Sequence, residues 1–296
     1  MANRKPLVLN SGVAQELGGS DSLLVPSVIV TGTVLKELQD FINPTLGIED
    51  NLEVAIPIQK NLFSRQVRYL LPIGNGQTSF SALLSQGATA TGTATARAWA
   101  ATNRLTRSRR IGYVSSASAG TLCGARDSSN ASQMTLGDNS IQGTGFKFKV
   151  IFCITDPAFV TGARMFVGVG PATAPSNVEV STKTNYVGVC ALSSSNNLHF
   201  YCAGSSTTTP IDLGSNFPVN TGSTDIYELT LYAPFAGSEL HYRVVRTNTG
   251  HIATGTVTTG LPASTVGFDF EMWRTNNATA LAVGLDFLGW YAEVAR

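Results

Sequence analysis

In the C-terminal half of the chain, apolar side chains recur at every second position. Phe146, Phe148, Val150, Phe152 and Ile154 form one such run, and Tyr227, Leu229 and Leu231 form another. Leu240, Tyr242 and Val244 repeat the pattern. Phe268, Phe270 and Met272 follow, then Leu281, Val283, Leu285 and Phe287. A period of two puts one set of side chains on a buried face and the intervening set on the other. Turn residues separate the runs: Asp156-Pro157, Ser195-Asn196-Asn197, Asn248-Thr249-Gly250 and Asn276-Asn277. Many short strands, frequent turns and hardly any helix predict an antiparallel β-sandwich over residues 145–296.

Upstream the pattern is shorter and more varied. Leu7, Val8 and Leu9 precede an Asn10-Ser11-Gly12 turn, which predicts a small β-element. Residues 34–42 carry apolar positions at helical spacing, with Thr31 or Thr33 as cap and Asn43-Pro44 as stop. Val54, Ile56 and Ile58 alternate, as do Val67, Tyr69 and Leu71, so both read as strands. Asn75-Gly76 predicts a type I′ hairpin, which needs positive φ at both central residues. The Ala/Thr/Gly-rich stretch 87–102 reads as a linker, or as an extended segment packed between subunits where small side chains let three chains approach. The expected organisation is an attachment region at 1–50, a β-rich connecting and trimerisation region at 51–144, and the sandwich at 145–296. The class is mainly β with one short helix.

Composition sharpens this. Charged residues make up 13% of the 296 positions, about half the usual ~25%. Few charges among many small polar residues suit β-structure with extensive subunit contact. A net charge of +1 exerts no whole-molecule pull on nucleic acid or membrane. No apolar run approaches the ~18–20 residues that span a bilayer; residues 23–30 are interrupted by Pro26 and Ser27. No secretory signal follows Arg4 and Lys5, so synthesis in a cytosol is expected. Cys123, Cys153, Cys190 and Cys202 form no CxxC pair and read as buried thiols.

Three constellations carry candidate chemistry. Asp269, Glu271 and Trp273 share one strand face, opposite Phe268, Phe270 and Met272. Carboxylates accept hydrogen bonds from sugar hydroxyls and an indole stacks on a sugar ring, so the trio is a candidate glycan contact. Two carboxylates ~6–7 Å apart also approach glycosidase spacing, although no further acid follows on that strand. A solvated or subunit-facing set of side chains is the plainer reading. Cys190, His199 and Cys202 are of zinc-ligand type, but His199 and Cys202 fall on opposite strand faces, so packing is expected and no metal. Nucleophile elbows, P-loops and dinucleotide fingerprints are absent, so neither an enzyme nor a cofactor is expected.

The third constellation is a charge run. Between Val54 and Arg126 there are nine basic side chains and no carboxylate. Arg97, Arg104, Arg107, Arg109 and Arg110 form its core. Arginine suits bidentate pairing with carboxylate or phosphate. The expected partners are carboxylates of neighbouring subunits or of another particle protein, ahead of anionic sugars. Nucleic acid is not favoured, because few aromatics interleave to stack bases.

Two parts of the sequence resemble bacteriophage tail fibre and baseplate-associated proteins. One is Lys5-Pro6-Leu7-Val8-Leu9-Asn10-Ser11-Gly12 with Gln15-Glu16-Leu17 and Asp21-Ser22-Leu23. The other runs from Arg110-Ile111-Gly112-Tyr113-Val114-Ser115 and Gly145-Phe146-Lys147-Phe148 through Ala163-Arg164-Met165-Phe166-Val167-Gly168 and Leu213-Gly214-Ser215-Asn216-Phe217-Pro218. It continues with Asp225-Ile226-Tyr227-Glu228-Leu229, Trp273-Arg274-Thr275-Asn276-Asn277 and Ala282-Val283-Gly284-Leu285-Asp286. The resemblance implies a homotrimer in a virion, assembled in the host cytoplasm, with a concanavalin-like jelly roll facing outward. It implies other tail proteins as partners of the N-terminal region, which would use main-chain pairing and residues 23–30, and a host glycan as partner of the sandwich. A head or collar fibre, a carbohydrate-binding module and a glycan-degrading jelly roll acting through Asp269 and Glu271 are the alternatives.

Overall fold

The computed structural model describes residues 7–10, 13–16, 65–83, 85, 87–127, 134–137, 145–171, 173–219, 225–234 and 238–295. The expected helix at 34–42, the apolar patch at 23–30 and the strand through Val54, Ile56 and Ile58 lie outside the described residues. The chain divides into two compact units, Met1–Pro57 and Ile58–Arg296. In the first, β1 (Leu7–Asn10) and β2 (Val13–Glu16) form an antiparallel hairpin with Leu7 opposite Glu16.

The second unit is a sandwich of two antiparallel sheets. Its strands are β3 (Arg65–Pro72), β4 (Phe80–Leu83), β5 (Ala88–Thr91), β6 (Thr93–Ala96), β7 (Ile111–Val114), β8 (Leu122–Asp127) and β9 (Phe146–Ile154). They continue with β10 (Arg164–Gly170), β11 (Tyr186–Ala191), β12 (Leu198–Ala203), β13 (Ile211–Asp212), β14 (Ile226–Ala233), β15 (Leu240–Arg246), β16 (His251–Val257), β17 (Asp269–Thr275) and β18 (Gly284–Ala295). One sheet has seven strands in the order β13-β12-β11-β10-β17-β8-β5. The other has nine: β16-β15-β14-β9-β18-β3-β4, with β7 pairing β18 and β6 pairing β7. The single helical turn among the described residues is Val180–Thr182.

The alternating runs supply the core. Phe146, Phe148, Val150, Phe152 and Ile154 of β9 are all buried and face Phe268, Phe270 and Met272 from the other sheet. Phe148 stacks on Phe270 at 6.3 Å and Phe200 on Tyr242 at 3.8 Å between centroids. Each such side chain contributes roughly 1.5–3 kcal/mol when taken out of water. In β18 the register slips between Phe287 and Gly289, a β-bulge. The extra residue reverses the parity, so Leu285 and Phe287 before it and Trp290, Ala292 and Val294 after it all reach the core. The expected strand therefore extends beyond Phe287, while Leu281 lies outside it and is exposed.

Three expectations need correction. The described strands within 51–144, β3 to β8, do not form a separate connecting region, because they pair inside the same two sheets as the later strands. The stretch 87–102 is no linker. It forms β5 in one sheet and β6 in the other, paired to β8 and β7 of its own chain. Gly92 between them has φ +72°, and a Cβ there would come within 2.8 Å of the Leu122 carbonyl. Only glycine lets the chain cross between sheets at that point. Finally, β3 and β4 are not joined by a two-residue turn. Gly76 has positive φ but Asn75 does not, and the loop closes through Ile73 N–H donating to the Ser79 carbonyl at 3.2 Å.

Candidate functional site

Strand β17 lies near the middle of the seven-stranded sheet, with β10 on one side and β8 on the other. Phe270 and Met272 point into the central core. Trp273 points the other way, into a second apolar cluster with Phe166, Val180, Tyr186, Cys190, Tyr201 and Ala203. Segment 173–185 closes over this cluster. Val180 packs into it, and Tyr201 Oη donates to the Lys183 carbonyl at 2.5 Å. Gly168 and Gly188 lie under the Phe166 ring, where a Cβ would approach ring carbons to 3.0 Å.

The trio from β17 is therefore divided. Asp269, 1% exposed, accepts from Arg68 Nη1 at 3.4 Å, and Arg68 comes from the opposing sheet. Glu271, 2% exposed, turns to Tyr186 and Lys183 on the outer side. Trp273 is fully buried. The plain reading of solvated side chains is corrected by this burial, and so is an indole laid open for stacking on a sugar: a covering segment does not show in strand periodicity.

Around Glu271 the polar groups converge. Tyr186 Oη donates to Glu271 Oε2 at 3.2 Å. With its proton so used, Tyr186 Oη accepts from Thr173 Oγ1 at 3.0 Å and from Lys183 Nζ at 3.5 Å. Lys183 Nζ also donates to Ser176 Oγ at 3.3 Å. The Trp273 indole N–H lies close enough to favour the charged carboxylate, yet makes no hydrogen bond of normal geometry. Burial pushes the Glu271 carboxyl up to about 7, against the opposing pull of Lys183, the Tyr186 and Trp273 donors and Arg126. Burial also lowers Lys183, outweighing Glu271, and raises Tyr186.

Glu271 differs from the buried aspartates. Asp127, Asp156, Asp225, Asp269 and Asp286 each meet an arginine. Among the described residues Glu271 has no cation within the 4.0 Å of an ion pair. A buried carboxyl outside any ion pair, with hydroxyl and ammonium groups gathered round it, is a candidate site rather than a structural clamp. Lys183, Tyr186, Thr173 and Ser176 gave no signal in the sequence, because they come from a segment 85 or more residues before Glu271.

The basic stretch is largely consumed within the chain. Arg97 Nη2 and Arg110 Nε meet the two oxygens of Asp286 at 3.0 and 2.9 Å. Arg104 donates to the Thr247 carbonyl at 3.1 Å and Arg107 to the Ala101 carbonyl at 3.0 Å. Arg109 is exposed. The carboxylate foreseen on a neighbouring subunit is thus Asp286 of the same chain for Arg97 and Arg110. Cys190 and His199 are cross-strand neighbours, while Cys202 faces the central core. Among the described residues no group of three or more His, Cys, Asp and Glu side chains is placed to hold a metal ion.

Two antiparallel sheets in this order, with a central aromatic core, define a concanavalin-like jelly roll of the legume-lectin type. Two solved structures illustrate the likeness. Arcelin-5, a lectin-like defence protein from Phaseolus vulgaris, matches with a TM-score of 0.50 at 13% identity, over 79% of this chain and 100% of its own. Lectin UEA-II complexed with galactose matches with a TM-score of 0.50 at 12% identity, over 78% of this chain and 99% of its own. At these identities the likeness is one of fold. No family model matches the sequence, and no curated protein sequence does.

Proposed function

We propose that the chain is a non-enzymatic glycan-binding sandwich that serves as a structural component of a bacteriophage virion, a trimeric tail fibre or baseplate-associated protein engaged in host attachment. The observation that carries the glycan part is the unpaired Glu271 with its ring of hydroxyl and ammonium groups, set on a sheet of lectin-like fold. The Glu271 carboxylate and the hydroxyls of Tyr186, Thr173 and Ser176, gathered on the outer side of the seven-stranded sheet, are of the kind that pairs with sugar hydroxyls. The virion part rests on the resemblance of residues 5–23 and of the sandwich segments to phage tail proteins. A non-catalytic role is supported by Asp269, which is engaged by Arg68 and not poised beside Glu271. Three copies would multiply a weak sugar contact through effective concentration.

The lectin likeness favours one second reading, a carbohydrate-binding module that works outside any particle. Light scattering of the purified chain, followed by binding of the same sample to intact host cells, separates the two. A trimer that binds cells supports the virion reading. A monomer that binds polysaccharide supports the module, and a chain that binds neither cells nor glycans overturns both.

A further inference from the structure

The ammonium of Lys183 sits 4.8 Å from the centroid of the Tyr186 ring and 5.6 Å from that of Trp273. Aromatic faces attract a cation through the ring quadrupole, more strongly away from water. The Tyr186 hydroxyl links this ammonium, at 3.5 Å, to the Glu271 carboxylate, at 3.2 Å. Two rings and a buried acid around an ammonium make a cation cage, and here the cation is the chain's own.

Cage and occupant are poorly matched. The hydrogen bonds of Lys183 Nζ are long, 3.3 Å to Ser176 and 3.5 Å to Tyr186. Its ammonium makes no ion pair with Glu271 among the described contacts. The fully buried Trp273 N–H makes no hydrogen bond of normal geometry, and an ammonium, which only donates, cannot supply an acceptor. Burial acts on both Lys183 and Glu271 against their charged forms. The lysine is only partly buried and sits on a flexible stem, so it can leave toward solvent.

We infer that Tyr186, Trp273 and Glu271 form a binding site for an ammonium group carried beside a hydroxyl, as in a 2-amino sugar, and that Lys183 is an internal plug which this ligand displaces. The ligand ammonium takes the place of Lys183 Nζ. The neighbouring hydroxyl oxygen accepts from Trp273 Nε1, and further hydroxyls meet Thr173 and Ser176. The sugar part of this inference rests on the glycan-binding reading above; the ammonium part rests on the cage alone.

The test is titration of the full chain at pH 7 with D-glucosamine, N-acetyl-D-glucosamine and D-glucose, read by tryptophan fluorescence and calorimetry. Lys183→Ser empties the cage, Lys183→Met keeps it filled with an uncharged chain, and Glu271→Gln removes its charge. Saturable glucosamine binding is expected in the parent, tightened roughly tenfold or more in Lys183→Ser, where the internal competitor is gone. Binding is expected to be lost in Lys183→Met and Glu271→Gln, and the acetylated and neutral sugars are expected to give no response. Thermal melting reports whether each variant folds, and the two Lys183 variants give the comparison without relying on Glu271→Gln. A folded Lys183→Ser that ignores glucosamine, or that binds the acetylated sugar equally well, overturns the inference. Glucosamine binding without host-cell attachment keeps the cage and rejects the attachment role; attachment without glucosamine binding does the reverse.

Discussion

Arg68 of the nine-stranded sheet and Asp269 of the seven-stranded sheet meet at 3.4 Å across the sandwich, with side-chain exposures of 0% and 2%. The same guanidinium reaches Asp127 at 3.2 Å and lies 5.6 Å from the centre of the Trp290 ring. One buried cation thus ties two acids of one sheet to an aromatic residue of the other. Charges held out of water stabilise a fold only when each is paired and hydrogen-bonded.

Replacing Arg68 by Met should therefore be severe. It leaves Asp127 and Asp269 buried without their shared cation, and the expected loss is about 3–5 kcal/mol. Denaturant unfolding of parent and variant measures it; a loss below about 1 kcal/mol would contradict the clamp.

Asp286 gives a second contrast. Besides Arg97 and Arg110 it accepts from Thr155 Oγ1 at 3.2 Å. Asp286→Asn keeps the shape and removes the charge, and is expected to cost about 3 kcal/mol. Arg109→Ala, at an exposed position in the same basic stretch, is expected to stay within about 0.5 kcal/mol. Equal effects in thermal or denaturant unfolding would show that the stretch is not organised around Asp286.

Glu271 predicts the sign of a pH dependence. Its carboxyl titrates near 7 in the fold, above its ordinary 4.5. A raised carboxyl leaves the fold best supported below the ordinary value, and that support is lost as pH rises through the folded value. Glu271→Gln removes this dependence. The stability of the variant relative to the parent should rise between pH 5 and pH 8, by up to about 3 kcal/mol at about 1.4 kcal/mol per pKa unit. A difference that stays flat across that interval would be inconsistent with a buried, unpaired acid.

The thiols should be silent. Cys123, Cys153, Cys190 and Cys202 are free and buried. Burial pushes Cys123 and Cys202 up to about 12 and raises Cys153 and Cys190 as well. Thiolate is the reactive form, so a chromogenic disulfide reagent at pH 8 should find no fast-reacting thiol in the native chain and four in denaturant. A thiol reacting quickly in the native state would contradict the packing around these four residues.

Strand identity and facing were legible in the sequence, because a strand's side chains alternate whatever lies beyond it. Phe146 to Ile154 and Phe268 to Met272 announced their inner faces in this way, and Glu271 and Trp273 were legible as a set that opposes them, whereas Asp269 at the strand's start reaches across the sandwich to Arg68. What lies over that set was not legible. Segment 173–185 folds back from β10 over the outer face of the sheet, and only that fold turns Trp273 from a surface residue into a buried one and brings Lys183 and Tyr186 to Glu271. The same limit applies to charge. Nine cations without a nearby acid looked like an outward-facing surface, yet the acid for Arg110 stands 176 residues away in Asp286, and those for Arg68 stand in β8 and β17. Periodicity is a local property of the backbone and is written in the sequence; the partner of a charge and the cover of a face depend on which distant segments the sheet order brings together, and that is decided only when the two sheets close on each other.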